Sequence, residues 1–87
     1  MKFATTIVYA NDPDTIARVR PTHREYLTAL KEQGKLWASG PFEDDSGALI
    51  IYEADDQQAA EALIENDPFN KAGVFESYTM RPWRQVF

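Results

Sequence analysis

The chain has 87 residues, enough for one domain spanning 1–87, and its lack of cysteine excludes disulfides and thiolate chemistry and fits a reducing cytoplasm. Its formal net charge of −5 repels the phosphates of nucleic acids and of anionic lipids, so we expect neither as a partner. No apolar run approaches the roughly 20 residues that span a bilayer, and no basic segment precedes an apolar core at the start, so we expect no membrane span and no signal peptide.

The first residues predict a strand and then the start of a helix. The segment from Lys2 to Ala10 is dense in β-branched and aromatic residues, which is typical of a strand. Asn11 and Asp12 end this strand, and Asp12 is well placed to cap a helix whose first residue is Pro13.

Pro21 lies in the middle of the helical region that follows. Because proline disfavours the α conformation of the residue before it, we expect an interruption there. The pattern therefore predicts a short turn over 13–19 and a main helix from Pro21 to about Gln33, which Gly34 ends in a left-handed conformation. Residues at spacings of three and four form the stripe that should face the core: Val19, His23, Tyr26, Leu27 and Leu30.

Two short strands joined by a polar turn come next. The segment from Lys35 to Ser39 is typical of a strand, which Gly40 and Pro41 should stop. Residues 44–47 form the turn, and Ala48 to Glu53 has the pattern of a third strand. We therefore expect an antiparallel hairpin with a loose loop.

A second helix and a further turn follow the hairpin. Either Asp55 or Asp56 caps this helix. Its apolar stripe consists of Ala59, Ala60, Leu63 and Ile64. A short turn over 67–72 begins with Asp-Pro and ends at Gly73.

A fourth strand from Val74 to Met80 completes the predicted order β-α-β-β-α-β, and Arg81 begins a tail to Phe87. This order in so short a chain is that of the ferredoxin-like α+β fold. In that fold, one four-stranded antiparallel sheet carries two helices on one of its faces.

The strands lack the clean alternation of a sheet that has one wet face. In the first strand, Ile7 and Tyr9 lie opposite Ala4 and Val8, so both faces carry apolar residues. Helices cover one face, and a second copy of the chain is the simplest cover for the other. We therefore expect a homodimer formed by sheet-on-sheet packing.

His23 is the only histidine in the chain. Histidine is the residue type whose ordinary pKa, about 6.5, permits proton transfer near neutral pH. Helical phase places His23 among apolar neighbours, and two interpretations stay open. It is either a core histidine whose ring nitrogens are satisfied by backbone or carboxylate, or a general acid or base tuned by a nearby carboxylate.

Four further candidates each have a structural explanation beside the functional one. Asp67 is explained as the N-cap before a proline, and one of its oxygens can cap while the other holds the His23 imidazole. Arg20 can bind a substrate carboxylate or phenolate through its planar guanidinium, or form a surface salt bridge. Ser39 and Gly40 can offer a hydroxyl and a close backbone approach to a ligand, or simply end a strand.

Motifs for metals and common cofactors are missing. One histidine and no cysteine give no cluster of metal ligands, and Asp44-Asp45 is typical of a solvated turn. The sequence has no phosphate-binding glycine loop, no dinucleotide fingerprint and no G-x-S-x-G motif of serine hydrolases. We therefore expect neither a metal nor a cofactor.

Several short motifs occur in a distinctive order and spacing. They are Arg20-Pro21-Thr22-His23 with Tyr26-Leu27, Gly34-Lys35-Leu36, Ser39-Gly40-Pro41, Gly47, Asp67-Pro68-Phe69, Ala72-Gly73-Val74, Pro82-Trp83 and Val86-Phe87. Together they resemble the YCII-related (YciI-like) family along nearly the whole chain. The resemblance implies a ferredoxin-like domain that dimerises into an α+β barrel, with a cleft lined by His23 and Asp67 near the Ser39-Gly40-Pro41 turn. The loop from Phe42 to Gly47 is shorter than in many relatives, which leaves specificity open.

The resemblance also implies chemistry on small molecules. One branch of the family, which breaks down chlorinated aromatics, is associated with dehydrochlorination of a chlorinated hydroxyquinol. Related barrels include muconolactone-type isomerases and haem or quinol monooxygenases. The resemblance alone assigns none of these activities to this chain.

The first hypothesis is a cofactor-independent lyase or isomerase that acts on a small cyclic or aromatic compound. His23 moves a proton, Asp67 orients the imidazole, and Arg20 and Ser39 position polar groups of the substrate. The expected walls of an apolar pocket are Tyr9, Trp37, Phe42 and Phe69. The second hypothesis is a non-catalytic dimeric domain that binds a small ligand or serves in assembly. Solvent access to the His23–Asp67 pair distinguishes the two hypotheses, because only the enzyme hypothesis needs the pair to lie at an open cleft.

Overall fold

The computed structural model describes all 87 residues and contains four strands and three helices. In chain order the elements are β1 (Lys2–Tyr9), α1 (Pro13–Glu32), β2 (Leu36–Pro41), β3 (Gly47–Glu53), α2 (Gln57–Glu65), α3 (Pro68–Lys71) and β4 (Phe75–Trp83). This order confirms the predicted β-α-β-β-α-β arrangement, with the single-turn α3 at the position of the predicted short turn. None of the helices combines the length and the apolar character needed to cross a membrane.

The strands form one antiparallel sheet in the order β2-β3-β1-β4. β2 and β3 pair as the predicted hairpin, and β1 lies inside the sheet between β3 and β4. Buried residues from all three helices join those of the strands in a single core cluster, which places the helices on one face. The ferredoxin-like fold predicted from the sequence is therefore confirmed.

The two faces of the sheet differ because successive residues of a strand point to opposite sides. Phe3 and Ile7 of β1 are buried under the helices. We call the face without helices the outer face. There, Val8 of β1 and Leu49 of β3 are 48% and 36% exposed. The outer face thus carries large apolar side chains that no other part of the chain covers.

The helix α1 continues through Pro21, so the predicted interruption is wrong. Proline removes one backbone donor from a helix, and Pro21 lies on the exposed side, where a helix tolerates bending. Ile16 and Val19 before the proline and Leu27 after it pack against the same core cluster. Packing on both sides therefore holds the helix together across the proline.

Two further boundary predictions fail at prolines. β2 runs through Gly40 and Pro41, where the sequence predicts its end, and β4 runs through Pro82 to Trp83, where the sequence predicts a tail. Both strands lie at the edges of the sheet. An edge strand has one side without a hydrogen-bonded neighbour, so a residue that lacks an N–H is tolerated there.

The caps and turns follow the sequence more closely. Gly34 and Gly73 follow α1 and α3 with φ angles of 75° and 77°, the left-handed conformation that ends helices. Asp56 caps α2 by accepting a backbone N–H three residues on, at 2.8 Å. Gly47, predicted to lie in the turn, begins β3. A Cβ atom at Gly47 would lie 1.7 Å from the Ile7 carbonyl oxygen, so only glycine permits this approach of β3 to β1.

Candidate active site

His23 and Asp67 are 44 positions apart in the sequence and meet between α1 and α3. His23 lies on the buried face of α1, in phase with Leu27 and Leu30. Asp67 immediately precedes α3 and caps it. His23 Nδ1 and Asp67 Oδ1 are 2.7 Å apart, and the two residues are 8% and 0% exposed.

The hydrogen bond to Asp67 assigns the donor nitrogen of the imidazole. Because a carboxylate oxygen only accepts, the Nδ1–H group of His23 donates a hydrogen bond to Asp67 Oδ1. The same Oδ1 also accepts the N–H of Phe69 at 2.8 Å. The sequence predicts a separate oxygen for each task. Instead, Oδ1 performs both, and the buried Oδ2 has no hydrogen-bond partner.

Aromatic rings pack around the imidazole of His23. Phe69 stacks on it, with ring centroids 4.0 Å apart and planes 14° from parallel, and Phe75 meets it edge-on at 6.1 Å. Tyr9 packs against both phenylalanines, with centroid distances of 6.0 and 6.3 Å. These contacts restrain the imidazole ring in addition to its bond with Asp67.

The accessible part of His23 opens into a groove of about 840 Å³ that lies between α1 and β2. This volume falls in the range of small-molecule sites, roughly 300–1,000 Å³. Nε2 of His23 makes no hydrogen bond within the chain and is not among the fully buried unpaired atoms. The groove therefore gives a ligand access to the imidazole, while Asp67 stays behind it.

Trp37 lines the same groove together with three more of the predicted site residues: Tyr9, Ser39 and Gly40. Tyr9 comes from the end of β1, and the other two come from the part of β2 that pairs with Ile50 and Leu49. The unexpected extension of β2 through Gly40 thus forms one wall of the groove.

Arg20 lies in a neighbouring groove of about 530 Å³, which Tyr9 also lines. Burial raises the pKa of Tyr9, while the charges of Arg20 and, more weakly, Arg24 act in the opposite direction. Tyr9 therefore stands between Arg20 and the groove at His23. Neither arginine forms an ion pair with a carboxylate of the chain.

The other three aromatic candidates do not form one pocket wall together, because each lies in different surroundings. Phe69 is almost fully buried and supports the imidazole from behind. Trp37 borders the groove, but its ring packs on Trp83 with centroids 5.9 Å apart. Phe42 lies in a separate shallow pocket with Leu49 and is not among the residues of the His23 groove.

Sequence reasoning missed a second wall of the groove, formed by Arg24, Thr28 and Lys31 of α1. The sequence places Arg24 and Lys31 on the wet side of the helix, which is correct, since both are exposed. Their spacing of four and three residues is the signal that indicates a shared helix face. Lys31 Nζ also donates to the Trp37 carbonyl oxygen at 2.7 Å and so ties α1 to β2.

The chemistry open to this arrangement is proton transfer. With Nδ1 of His23 held by a carboxylate, Nε2 is the ring nitrogen left for a ligand. Such a carboxylate fixes the tautomer and stabilises the ring when it gains a proton. No three side chains of His, Cys, Asp or Glu are grouped so that they would hold a metal ion.

The fold and the pair at the groove define a small ferredoxin-like α+β domain with a histidine–aspartate site. The family model of the YCII-related domain matches residues 1–84, and the chain belongs to this family. Protein YciI of Escherichia coli O6:H1 (strain CFT073) is 33% identical over 95 residues, which cover 93% of this chain and 97% of that protein. An uncharacterized protein of Haemophilus influenzae is 27% identical over the same shares of both chains.

A solved structure resembles the whole fold. It is the 5-chloro-2-hydroxyhydroquinone dehydrochlorinase TftG from Burkholderia phenoliruptrix AC1100, in complex with 2,5-dihydroxybenzoquinone. The TM-score is 0.84 at 28% sequence identity, with 97% of this chain and 94% of that chain covered. The predicted family is thereby confirmed together with the predicted fold.

Proposed function

We propose that this protein is a cofactor-independent lyase or isomerase that acts on a small hydroxylated ring compound, with His23 as its acid–base group. The observation that carries the proposal is the 2.7 Å contact of His23 and Asp67 beside a groove of small-molecule size. Its similarity to a dehydrochlorinase that binds a dihydroxybenzoquinone supports this class of substrate.

The proposed reaction begins with proton transfer from a ring hydroxyl to Nε2 of His23. The electrons of the O–H bond form a carbonyl, the ring double bonds shift, and His23 returns the proton to the ring carbon that bears the leaving group, which becomes tetrahedral. A second ring hydroxyl then loses its proton to His23, its electrons form a second carbonyl, and a leaving group such as chloride departs from the tetrahedral carbon with its bonding pair. The sum is loss of one acid molecule, so no oxidant or reductant is consumed. In an isomerisation, the reaction would stop once His23 has returned the proton to a ring carbon. Asp67 holds the imidazolium in both cases.

Other residues of the groove hold the substrate in this proposal. Ser39 offers a hydroxyl and Gly40 a close backbone approach on the β2 side, and Tyr9 provides an aromatic wall. Arg20 and Arg24 flank Tyr9 from α1 without carboxylate partners, so they suit an anionic substituent such as a phenolate.

We also propose that the chain acts as a homodimer, in which a second copy covers the outer face. The exposed Val8 and Leu49 and the Trp37–Trp83 pair support this assembly, because large apolar patches on a sheet mark interfaces. A cytoplasmic location and a single domain over 1–87 stay predictions.

A second candidate is a non-catalytic domain that binds a small ligand or serves in assembly. The observation in its favour is the burial of the pair: Asp67 has no accessible surface, and His23 has little. In that case the pair is a bond within the fold that ties α1 to α3, and the groove binds without turnover.

The experiment that tests the first proposal compares the wild type with His23→Asn. Asparagine keeps an N–H near the position of Nδ1 for Asp67 but has no group that titrates near neutral pH. Chlorinated hydroquinols and small lactones would be screened for chloride release, quinone absorbance and isomerised product, with ligand affinity measured in parallel. Arg18→Gln, an exposed substitution on α1 outside the grooves, is the matched control.

We expect His23→Asn to reduce kcat by roughly 10²–10⁴-fold, the usual contribution of general acid–base catalysis, with binding changed only a few-fold. Arg18→Gln should behave as the wild type. Equal turnover by wild type and His23→Asn would contradict the proposed role. Tight binding with no turnover of any compound in the wild type would favour the second candidate.

A further inference from the structure

Two buried side-chain atoms in the whole chain lack a hydrogen-bond partner: Tyr52 Oη and Asp67 Oδ2. Tyr52 lies on β3 under the helices, and both residues have 0% exposure. Buried polar groups in native proteins nearly always have a partner, so each of these atoms needs an explanation. A phenol can donate and a carboxylate oxygen can accept, so the two atoms are complementary.

The charge of Asp67 reaches tyrosines on three different elements. They are Tyr9 of β1, Tyr26 of α1 and Tyr52 of β3. Burial is the main cause that raises the pKa of Tyr52, and the Asp67 carboxylate is the second. Both residues are fully buried, and the effect of the Asp67 charge on the Tyr52 phenol indicates that they lie in the same part of the core.

Only one of these tyrosines is a free buried donor. Tyr26 already donates to the Leu63 carbonyl oxygen at 2.6 Å. Tyr9 is only half-buried and borders the grooves, where solvent reaches it. Of these three tyrosines, Tyr52 alone is both fully enclosed and unpaired, so it is the one with a buried hydroxyl still able to donate.

We propose that Tyr52 is a positioning residue, whose hydroxyl donates through one internal water molecule to Oδ2 of Asp67 and thereby moderates the hold of Asp67 on the His23 proton. The two atoms do not bond directly, and buried polar groups without a protein partner are commonly satisfied by an internal water. The chain Tyr52–water–Asp67–His23 then runs from the core to the groove. The effect of Tyr52 on the titration of His23 does not depend on catalysis. A role of Tyr52 in catalysis rests on the proposed function.

The sign of the effect follows from sharing of negative charge. A donor on Oδ2 draws charge away from Oδ1, which weakens the attraction of the carboxylate for a protonated imidazole. Removal of that donor leaves more charge for His23. The His23–Asp67 pair should then bind its extra proton more tightly, and the imidazole should titrate at higher pH.

The test follows the titration of the imidazole by proton NMR, which is unambiguous because the chain has one histidine. The wild type is compared with Tyr52→Phe and with the matched control Tyr26→Phe. Loss of a hydrogen bond to a charged group corresponds to about one pH unit, so the Tyr52→Phe midpoint should rise by ~1 unit. Tyr26→Phe, which removes a bond to a carbonyl oxygen, should shift the midpoint by about a third of that or less.

Two further measurements keep the inference open to refutation. In an Asp67→Asn background, Tyr52→Phe should leave the midpoint where Asp67→Asn alone puts it. A crystal structure of the wild type should show a water within hydrogen-bond distance of Tyr52 Oη and Asp67 Oδ2, whether or not Tyr52→Phe folds. An unchanged midpoint in Tyr52→Phe, an equal shift in Tyr26→Phe, or a dry gap in the crystal overturns the inference. None of these readouts needs turnover, so failure of the proposed enzyme activity is a separate result.

Discussion

The two faces of the sheet differ in how far the chain itself buries their apolar side chains. Between the helices and the sheet, residues such as Phe3 and Phe69 are 1% exposed, and the His23–Asp67 pair is held within the packing. On the outer face, Val8 and Leu49 keep between a third and a half of their surface exposed. One chain of this length therefore completes one core, and a small domain commonly gains further burial through association.

The largest expected effect lies on the helix side of the sheet, at Phe69 of α3. Phe69→Ala should lower the free energy of unfolding by about 3–5 kcal/mol, because it removes a fully buried ring and leaves a cavity against the imidazole. Phe42→Ala removes the same ring from a site that is 40% exposed and should cost less than about 1 kcal/mol. Urea unfolding measures both. Similar losses for the two variants would contradict the contrast between the two regions.

The next effect lies on the outer face. Leu49→Asp should raise the dissociation constant of the proposed homodimer about 100-fold, which equals about 2.7 kcal/mol, because it places a charge in an apolar interface. Sedimentation velocity over a concentration series measures the change. Ala59→Asp, an exposed change in the first turn of α2, should leave the association unchanged. A wild type that sediments only as a monomer at tens of micromolar would refute the dimer itself.

The third effect is a loss of stability at alkaline pH, caused by Tyr52, which lies on the helix side of the sheet. Burial raises the pKa of Tyr52 above its ordinary value of 10.0. The folded state therefore holds the phenol proton more tightly than the unfolded state, so stability is complete below about pH 10 and falls above it. One such group contributes a slope of about 1.4 kcal/mol per pH unit.

Tyr52→Phe removes this group and should flatten the alkaline slope by about that amount. The control is Tyr78→Phe: burial also raises the pKa of Tyr78, but that residue is 36% exposed, so its slope should change less. Urea unfolding at a series of pH values measures the slope. If both variants lose stability with pH as steeply as the wild type, Tyr52 is not the group responsible.

Prolines explain most of the boundaries that the sequence did not predict. Pro13 and Pro68 start helices as predicted. The sequence predicts a boundary at or next to Pro21, Pro41 and Pro82, and each of the three lies within an element. A proline stops a helix or strand only where its missing N–H is needed, and that depends on which strands are at edges and which side of a helix is packed. Those are tertiary facts that local sequence does not contain.

In the candidate site, too, the positions of single residues follow from the local sequence, whereas their contacts depend on the fold. His23 was placed on the buried side by helical phase alone, and Asp67 before α3 by the Asp-Pro start, so both positions follow from local rules. Their contact joins residues 44 positions apart, and no periodicity in the sequence measures that distance. The groove wall that begins at Arg24 of α1 could be predicted only with the position of β2 beside α1. That position depends on the extension of β2 beyond Ser39, which the sequence does not predict.

The smallest expected effect is at Glu53, which alternates along β3 with Tyr52 and so lies on the outer face. Hydrogen bonding to Lys2 is the main cause that lowers the pKa of Glu53, with a smaller contribution from the chain's amino terminus. A depressed folded-state pKa means that this stabilisation is present above the ordinary glutamate pKa of about 4.3 and is lost as pH falls below it.

Glu53→Gln should cost less than about 1 kcal/mol near neutral pH, and the cost should shrink further in high salt, because a solvent-accessible ion pair is screened. Urea unfolding at low and high salt measures the cost, and Lys2→Met serves as the partner variant. The cost should be measured at several protein concentrations, because its dependence on concentration shows whether Glu53 lies in the dimer interface. If the cost rises well above 1 kcal/mol only where the chain is dimeric, the Lys2–Glu53 end of the outer face is desolvated in the interface, since a buried pair that loses one partner costs about 3–5 kcal/mol. A small and concentration-independent cost places this end outside the interface and leaves Val8 and Leu49 as the centre of the covered surface.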